Sequence, residues 1–304
     1  MSRDGDFFSH KRTLFFAMAV LHTGAFSRVV ILEGADDVLS LAIKVTHTAG
    51  NTRHANNRCE LSRRIRRLVG DSMAGMEGGS EAHHREVCAL RALGRHEFIV
   101  KTMLASSCRD FSYITMEAAL SDLKAVIKTH WASITLESKT IWASQIGRAI
   151  RHMHKCRFVH RDIKPNNVLV FSSTLVKLSD FGLSEYAEAA ELKCPGSLEY
   201  AAPELLAGGD YDLYAVDEWA FGVSLFELHT GGLPFHQGAV AWDERFYTHM
   251  CGESPWAVDG AMSAVIGGLL VIRPSFRLRV NAAVRRLDAA RRALVIDEDQ
   301  VQFG

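Results

Sequence analysis

The run His-Arg-Asp-Ile-Lys-Pro-Asn-Asn-Val-Leu-Val, residues 160–170, places three chemically capable side chains close together in the sequence. The carboxylate of Asp162 can accept a proton from an attacking hydroxyl. The ammonium group of Lys164 can offset charge on a phosphoryl group, and the amide oxygen of Asn167 can ligate Mg²⁺. A solvated charged loop is the alternative, but such a loop does not require these residue types at this spacing. The run therefore indicates chemistry on a phosphoryl group.

A second motif follows within residues 176–185, where Asp180-Phe181-Gly182 ends an apolar stretch. An isolated Asp-Phe-Gly is weak evidence, because any junction between a strand and a turn can carry one. Gly182 permits the sharp backbone turn that such a junction needs. Paired with the run at 160–170, the motif becomes strong evidence for a metal-dependent site.

Together the two motifs resemble those of the eukaryotic protein kinase superfamily. Three further stretches carry the resemblance: GSLEYAAPELL at 196–206, DLYAVDEWAFG at 212–222 and RPSFR at 273–277. The similarity covers about residues 14–277, nearly the whole chain. It implies an α+β, bilobal protein kinase fold with a small β-rich N-lobe and a larger α-helical C-lobe.

The resemblance implies a catalytic set of Asp162, Lys164, Lys44 and Glu86. Lys44 lies in the apolar segment LAIKV, where a lone lysine is more often an edge-strand or snorkelling residue. The other motifs make it the expected contact to the α- and β-phosphates. Glu86 is its expected partner, since the residues around it trace an apolar helical face, and Glu81 is the weaker candidate.

ATP and Mg²⁺ are the ligands that the resemblance implies. Asn167 and Asp180 are the expected Mg²⁺ ligands. Asp122 is either a ribose contact or a helix N-terminal acid. Ser197 is expected in the substrate cleft, and three further residues are expected to be structural: Glu204, Asp217 and Arg277. The expected ATP-binding residues are His22, Gly24, Phe26, Val29, Ala42, Lys44, Met116, Glu117, Ala119, Asp122 and Leu169.

The phosphate-covering loop departs from the family pattern G-x-G-x-x-G-x-V. This chain has His-Thr-Gly-Ala-Phe-Ser-Arg-Val at 22–29, which keeps Gly24, the aromatic and the closing valine. His22 and Ser27 add side chains where the family usually has glycine. The change puts nucleotide affinity in question more than catalysis.

Composition is that of an ordinary globular enzyme, with 48% hydrophobic and 23% charged residues among 304. Lysine plus arginine and aspartate plus glutamate both total 35, so net charge implies no bulk attraction to nucleic acid or membrane. The six cysteines form no CxxC pair, which predicts a reducing, intracellular location in the cytoplasm or nucleus. An apolar segment at 14–21 resembles a short secretory signal, but the fold requires a strand there.

Hydrophobic patterning predicts strands near 14–21, 28–33, 40–46, 98–104 and 110–116. Helices are predicted near 80–94, 135–156, 215–230, 261–272 and 279–292. The predicted organisation is an N-lobe at 1–116 with a basic insertion at 46–80, a hinge at 117–122, a C-lobe at 123–295 and a tail at 296–304. The arginines at 53–67 indicate either a docking patch or a solvated variable insertion.

The sequence therefore predicts a serine/threonine protein kinase that acts on protein substrates with ATP and Mg²⁺. Lys164 favours serine and threonine over tyrosine. A pseudokinase scaffold and a small-molecule phosphotransferase are the alternatives. The abbreviated lobes, the short tail and the eroded glycine loop resemble those of kinases carried by large DNA viruses, and such a kinase would act in the host cytoplasm or nucleus. We also expect Arg161 to pair with a carboxylate, Glu188 or Glu191, in place of a phosphate.

Overall fold

The structure is a computed structural model that describes residues 7–10, 13–23, 27–34, 40–47, 79–107, 111–189, 196–207, 211–234 and 260–301. The chain forms two compact units. The N-terminal unit comprises Met1–Gly94 and Val100–Ala119, and the C-terminal unit comprises Arg95–Ile99 and Leu120–Gly304. The domain limits predicted from the sequence stay predictions.

An antiparallel sheet forms the base of the N-terminal unit. Its strands follow the spatial order β1-β2-β3-β4-β6-β5, so β4 is an inner strand with a partner on each side. Leu41, Ile43 and Val45 in β4 are all buried, as an inner strand requires. The six strands are β1 (Phe7–His10), β2 (Thr13–Thr23), β3 (Ser27–Gly34), β4 (Ser40–His47), β5 (Thr102–Ser107) and β6 (Phe111–Glu117).

Helix α1 (Gly79–Leu93) packs against β4 and β6 in the same unit. Ala89 and Leu93 are buried at helical spacing, and Glu86 lies on the same face with only 3% of its surface exposed. A buried carboxylate is costly unless a partner offsets its charge. The burial of Glu86 therefore predicts that a positively charged side chain lies next to it in the N-terminal unit.

Helices dominate the C-terminal unit. The longest buried one, α5, has Trp219, Phe221 and Val223 fully enclosed, which is the pattern of a helix packed on all sides. The helices are α2 (Leu123–His130), α3 (Leu136–Lys155), α4 (Pro203–Ala207), α5 (Leu213–Thr230), α6 (Gly260–Leu269) and α7 (Val280–Val301). Helix α3 packs against α5 and α7, and α6 packs against the same two helices.

The limits of α5 have clear local causes. The side chain of Asp212 accepts hydrogen bonds from the backbone amides of Tyr214 and Ala215, and so caps the N-terminus. Gly231 ends the helix in the left-handed region at φ 82°, where glycine has no Cβ penalty. A buried helix fixed at both ends provides a rigid support for Asp217, which projects from its second turn.

Two small sheets hold the segments that carry the sequence motifs. β7 (Ser121–Asp122), β9 (Val168–Ser172) and β10 (Leu175–Leu178) form one, and β8 (Phe158–Val159) pairs with β11 (Glu185–Tyr186) in the other. The motif at 160–167 therefore connects β8 to β9. The Asp-Phe-Gly motif connects β10 to β11, so both motifs lie between paired strands.

Most predicted elements are confirmed, and the predicted division into a β-rich N-terminal part and a helical C-terminal part is confirmed. The strand predicted at 98–104 is wrong at its start, since β5 begins at Thr102. Ile99 instead makes an isolated bridge with Leu178. Helix α2 had no predicted range, although the interpretation of Asp122 as a helix N-terminal acid implied a helix there. No helix within the described ranges is both long and apolar enough to cross a membrane.

Candidate active site

The segment around Asp162 is held by a buried carboxylate. Asp217 Oδ2 accepts a hydrogen bond from the amide of His160 at 2.8 Å, and Oδ1 accepts one from the amide of Arg161 at 2.9 Å. His154 Nε2 lies 3.1 Å from Oδ2 of the same carboxylate. Arg161 has φ 68°, a conformation that costs a non-glycine residue about 1 kcal/mol or more. Asp217 therefore fixes the backbone in a strained conformation just before Asp162.

Asp162 is the centre of a group of side chains. Lys164 Nζ lies 2.8 Å from Asp162 Oδ2 and donates to Ser197 Oγ at 2.8 Å. The amide and the hydroxyl of Ser197 both donate to Asp162 Oδ1, at 3.2 and 3.3 Å. Asn167 Nδ2 donates to the backbone oxygen of Asp162 at 2.7 Å and to Oδ2 at 2.9 Å. The structure thus brings together four of the predicted site residues.

Asn167 and Asp180 supply the donor groups that Mg²⁺ prefers. Both hydrogens of the Asn167 amide are directed at Asp162, which leaves its Oδ1 as an acceptor. Ser179, which precedes Asp180, donates from its amide and hydroxyl to the backbone oxygen of Asn167 at 2.8 and 3.0 Å. Asp180 is exposed and has φ 60°. An amide oxygen and an exposed carboxylate are hard oxygen ligands, so these residues fit Mg²⁺.

The Asp-Phe-Gly motif is anchored by its phenylalanine. Phe181 is fully buried, and its ring centroid lies 5.2 Å from that of His160. His160 is also fully buried, and its Nε2 lies 3.1 Å from the backbone oxygen of Ser179. The two sequence motifs are therefore fastened to each other by packing and by hydrogen bonds.

In the N-terminal unit, Lys44 and Glu86 form an ion pair with Nζ–Oε2 at 2.8 Å. Their side chains are 14% and 4% exposed, so the pair is shielded from water. Glu81, the weaker candidate from sequence, pairs with Arg85 one turn along the same helix. The partner that the burial of Glu86 requires is thus Lys44.

The predicted adenine-side residues lie in register on neighbouring strands. Ala42 in β4 pairs with Met116 in β6, and both are buried. Lys44 pairs with Val29 in β3. Glu117 donates its amide to the backbone oxygen of Lys101 and accepts from the Lys101 amide through Oε1, at 3.1 and 2.7 Å. Ala119 follows at the end of this unit.

Other predicted nucleotide contacts are only partly described. Asp122 caps α2, because its Oδ1 accepts from the amide of Ala125 at 2.9 Å, and it pairs with Leu169 of β9. The helix N-terminal role is thus present, and a ribose role stays a prediction. His22 in β2 pairs through its backbone with Val29 in β3. Gly24, Phe26 and the arginine-rich 53–67 lie outside the described residues.

Arg277 and Glu204 form the bidentate ion pair expected of the structural set. Arg277 Nη1 and Nη2 donate to Glu204 Oε1 and Oε2 at 2.6 and 2.9 Å. The guanidinium also donates to the backbone oxygens of Val271, Ala215 and Ile272. Its side chain is 0% exposed, so the arginine joins α4, α5 and the segment after α6 within the protein interior.

The expectation that Glu188 pairs with Arg161 is wrong. Arg161 Nη1 pairs with Glu185 Oε2 at 2.6 Å. Glu188 instead pairs with Arg157 at 2.6 Å on the surface, and Glu191 lies outside the described residues. The reason is local: β11 places Glu185 directly opposite Val159, two residues before Arg161.

A group around Glu227 was missed from the sequence. Glu227 in α5 is 2% exposed, accepts from the Tyr200 hydroxyl at 2.6 Å and pairs with Lys124 of α2. Burial, together with the hydrogen bond to Glu227, raises the pKa of the Tyr200 hydroxyl far above its ordinary value. A glutamate in an otherwise apolar helix was the available signal, since such a group needs a partner.

Comparison with known proteins decides the family. A profile described as Protein kinase domain matches residues 18–285, which is most of the 304-residue chain. The chain belongs to the protein kinase family. The α+β fold of this family, with a small β-rich N-lobe and a larger helical C-lobe, confirms the predicted fold.

Relatives of this protein kinase domain are named as protein kinases, and two of the three that follow are named as serine/threonine kinases. CBL-interacting protein kinase 22 of Oryza sativa subsp. japonica is 31% identical over 212 residues, covering 65% of this chain and 46% of the relative. SNF-related serine/threonine-protein kinase of Homo sapiens is 37% identical over 150 residues, covering 48% and 20%. Probable serine/threonine protein kinase IRE4 of Arabidopsis thaliana is 30% identical over 226 residues, covering 62% and 21%. The chain spans less than half the length of each.

Proposed function

We propose that the chain is an active serine/threonine protein kinase, which transfers the γ-phosphoryl group of ATP to serine and threonine hydroxyls of proteins. The observation that carries the proposal is the group formed by Asp162, Lys164, Asn167 and Ser197. It joins a carboxylate that can accept a proton to a lysine cation, a serine hydroxyl and the amide nitrogen of Asn167, each within hydrogen-bonding distance of Asp162. The names of the relatives support the same activity.

In this proposal Asp162 orients the acceptor hydroxyl and takes its proton. Lys164, 2.8 Å from that carboxylate, offsets negative charge on the transferred phosphoryl group. Asn167 and Asp180 hold Mg²⁺, which supplies neutralisation of the phosphate oxygens when it is bound. The protein's part is to position these groups before the substrate arrives, because a preorganised charge costs little reorganisation during the reaction.

Lys44 holds the α- and β-phosphates of ATP in this proposal, with Glu86 keeping its ammonium group in place. The support is the shielded Nζ–Oε2 distance of 2.8 Å. A lysine buried without such a partner would lose its charge or move. The pair therefore serves nucleotide binding in the N-terminal unit.

Serine and threonine are the proposed acceptors because of the contact between Lys164 and Ser197. The lysine ammonium donates to the Ser197 hydroxyl, and Ser197 in turn contacts Asp162. We propose that these two side chains leave room beside Asp162 for a short aliphatic hydroxyl and exclude a tyrosine ring.

The eroded glycine motif favours a second candidate, a pseudokinase scaffold that binds partners without catalysis. It also supports the resemblance to kinases of large DNA viruses. Whether or not the protein is viral, we propose an intracellular location, where ATP is abundant. We also propose a docking role for the arginines at 53–67. The sequence keeps Lys44, Asp162, Asn167 and Asp180, the residues expected for transfer, and this favours the active kinase over the scaffold.

The test is incubation of the purified protein with γ-labelled ATP, Mg²⁺ and a panel of generic protein substrates, followed by phosphoamino-acid analysis. We expect label on serine and threonine, and none with Asp162→Asn. ATP binding without label on protein would support the scaffold. Label confined to small molecules would support a small-molecule phosphotransferase.

A further inference from the structure

We infer that Glu185 is a positioning residue for Asp162. It makes the working conformation of the segment around Asp162 independent of phosphorylation. This inference rests on the proposed kinase activity. Glu185 supplies a permanent negative charge to Arg161, the residue immediately before Asp162. No added phosphate is then needed to hold the segment in its working conformation.

The burial of Arg161 makes a partner necessary. Its side chain is 6% exposed, and Nη1 lies 2.6 Å from Glu185 Oε2. Among the described residues, no hydrogen-bond partner contacts its buried Nε. A guanidinium in such surroundings is unfavourable unless a carboxylate or another anion offsets its charge. Within the part of the chain that the structure describes, Glu185 supplies that anion.

The pair reaches Asp162 through the backbone. The amide of Arg161 donates to Asp217, and the residue holds a left-handed conformation with φ 68°. Strand β11 pairs Glu185 with Val159, just before this segment. Glu185 therefore holds the segment twice, once through the strand and once through the Arg161 side chain. Loss of the Glu185 charge releases the side-chain restraint but keeps the backbone pairing of β8 with β11.

Three of the four hydroxyl groups in the segment are poor sites for a phosphate. Between Asp180 and Pro203 the sequence contains Ser184, Tyr186, Ser197 and Tyr200 as its only hydroxyl side chains. Ser184 is 2% exposed, and the hydroxyls of Ser197 and Tyr200 are bound to other side chains. Tyr186 is 48% exposed, although its ring lies 4.0 Å from that of Phe158, so it is the remaining candidate for modification. The carboxylate of Glu185 supplies a negative charge to Arg161 without any such modification.

Glu188 provides a matched control three residues away. It also pairs with an arginine, since Arg157 Nη2 lies 2.6 Å from its Oε1. Here the side chains are 70% and 53% exposed, so the pair is largely hydrated. Exposed pairs contribute little, so Glu188→Gln removes the same charge from the same segment without disturbing a buried group.

The experiment compares phosphatase-treated wild type, confirmed free of phosphate by mass spectrometry, with Glu185→Gln, Glu185→Asp and Glu188→Gln. We expect the bare wild type and Glu188→Gln to be equally active. Glu185→Gln should lose kcat by about 10- to 100-fold with little change in KM for ATP, since misplacement of a reacting group has effects of this size. Glu185→Asp should recover part of the loss, because it restores the charge.

Hydrogen exchange gives a readout that does not depend on catalysis. Glu185→Gln should speed exchange at the amides of His160 and Arg161, both bonded to Asp217, relative to Glu188→Gln. Equal exchange and equal kcat in the two variants would overturn the inference while leaving the kinase activity intact. A bare wild type that gains its activity only after phosphorylation would also overturn it. Faster exchange in a protein that transfers no phosphate would retain the positioning role and refute the proposed function.

Discussion

The hydroxyl of Tyr200 donates a hydrogen bond to Glu227 Oε2 over 2.6 Å, and both residues are buried. Lys124 pairs with the other oxygen of the same carboxylate. Three parts of the C-terminal unit therefore meet at one charge: α2, α5 and the short 3-10 turn Leu198–Tyr200. Ser197, which contacts Asp162, lies immediately before that turn.

Tyr200→Phe should lower the free energy of unfolding by about 1–3 kcal/mol, because Glu227 loses a buried donor and keeps its charge. Urea denaturation measures the change. Tyr186→Phe is the control, since Tyr186 is 48% exposed and its ring contact with Phe158 survives the substitution. Equal midpoints for the two variants would show that the hydrogen bond to Glu227 does not stabilise the fold.

Arg277→Leu should destabilise the protein by about 3–5 kcal/mol, since it leaves Glu204 and three backbone oxygens without their donor. Thermal or chemical unfolding measures the loss, and a large drop in soluble yield counts as the same result. Arg273→Ala removes an exposed arginine from the same segment and should change stability by less than about 0.5 kcal/mol. A similar small effect for Arg277→Leu would contradict the structural role of the ion pair.

Gly196→Ala should reduce turnover at least about tenfold while ATP binding persists. A Cβ at Gly196 would lie 2.5 Å from the backbone oxygen of Arg161 and 3.2 Å from Asp162 Oδ1, so the segment around Asp162 must shift. Gly232→Ala is the control, because no atom of the described residues lies within 4 Å of the Cβ position there. Steady-state kinetics measures both variants. Unchanged kcat in Gly196→Ala would show that this close approach does not position Asp162.

The sequence predicts the fold well where the pattern is local. The apolar strand around Lys44 and the face of α1 that carries Glu86 could both be recognised by periodicity. Three members of the cluster could also be recognised, because Asp162, Lys164 and Asn167 lie within one short run. Ser197 was included through the family resemblance, and its contact with Lys164 became visible only in three dimensions.

Partners chosen by long-range geometry were harder to predict. The sequence offers Glu185, Glu188 and Glu191 on one loop, and we expected Glu188 or Glu191 as the partner of Arg161, but the register of β8 and β11 selects Glu185. The role of Glu227 depends on Lys124 and Tyr200, which are far from it in the chain. The start of β5 was wrong because Ile99 bonds to Leu178, a contact that no local pattern reveals. Each error concerns a partner that tertiary structure decides.

Stability should fall below pH 6.5 through His96. Burial, with the stacked ring of His152 at 4.4 Å, lowers the pKa of His96 from 6.5. Arg148 and Arg151 act in the same direction, and Glu97 opposes them. The folded protein binds this proton less readily than the unfolded chain does. The contribution of neutral His96 to the free energy of unfolding is therefore present above pH 6.5 and is lost as the pH falls.

His96→Asn tests this effect, since asparagine can accept the hydrogen bond from the Phe98 amide but does not titrate. The free energy of unfolding should decrease less steeply from pH 7 to 5 in this variant than in the wild type. His130→Asn, at an exposed position, should keep the wild-type slope. Parallel curves for wild type and His96→Asn would refute the role of His96.

The most direct test of the proposed activity is the rate of phosphoryl transfer by Asp162→Asn. This substitution keeps the shape of the side chain and removes the proton acceptor, so turnover on a protein substrate should fall by about 10³-fold. The thermal shift produced by ATP and Mg²⁺ should stay at its wild-type value, which separates loss of chemistry from loss of fold. A variant that keeps more than about a tenth of wild-type turnover would contradict the role of Asp162 and with it the proposed mechanism.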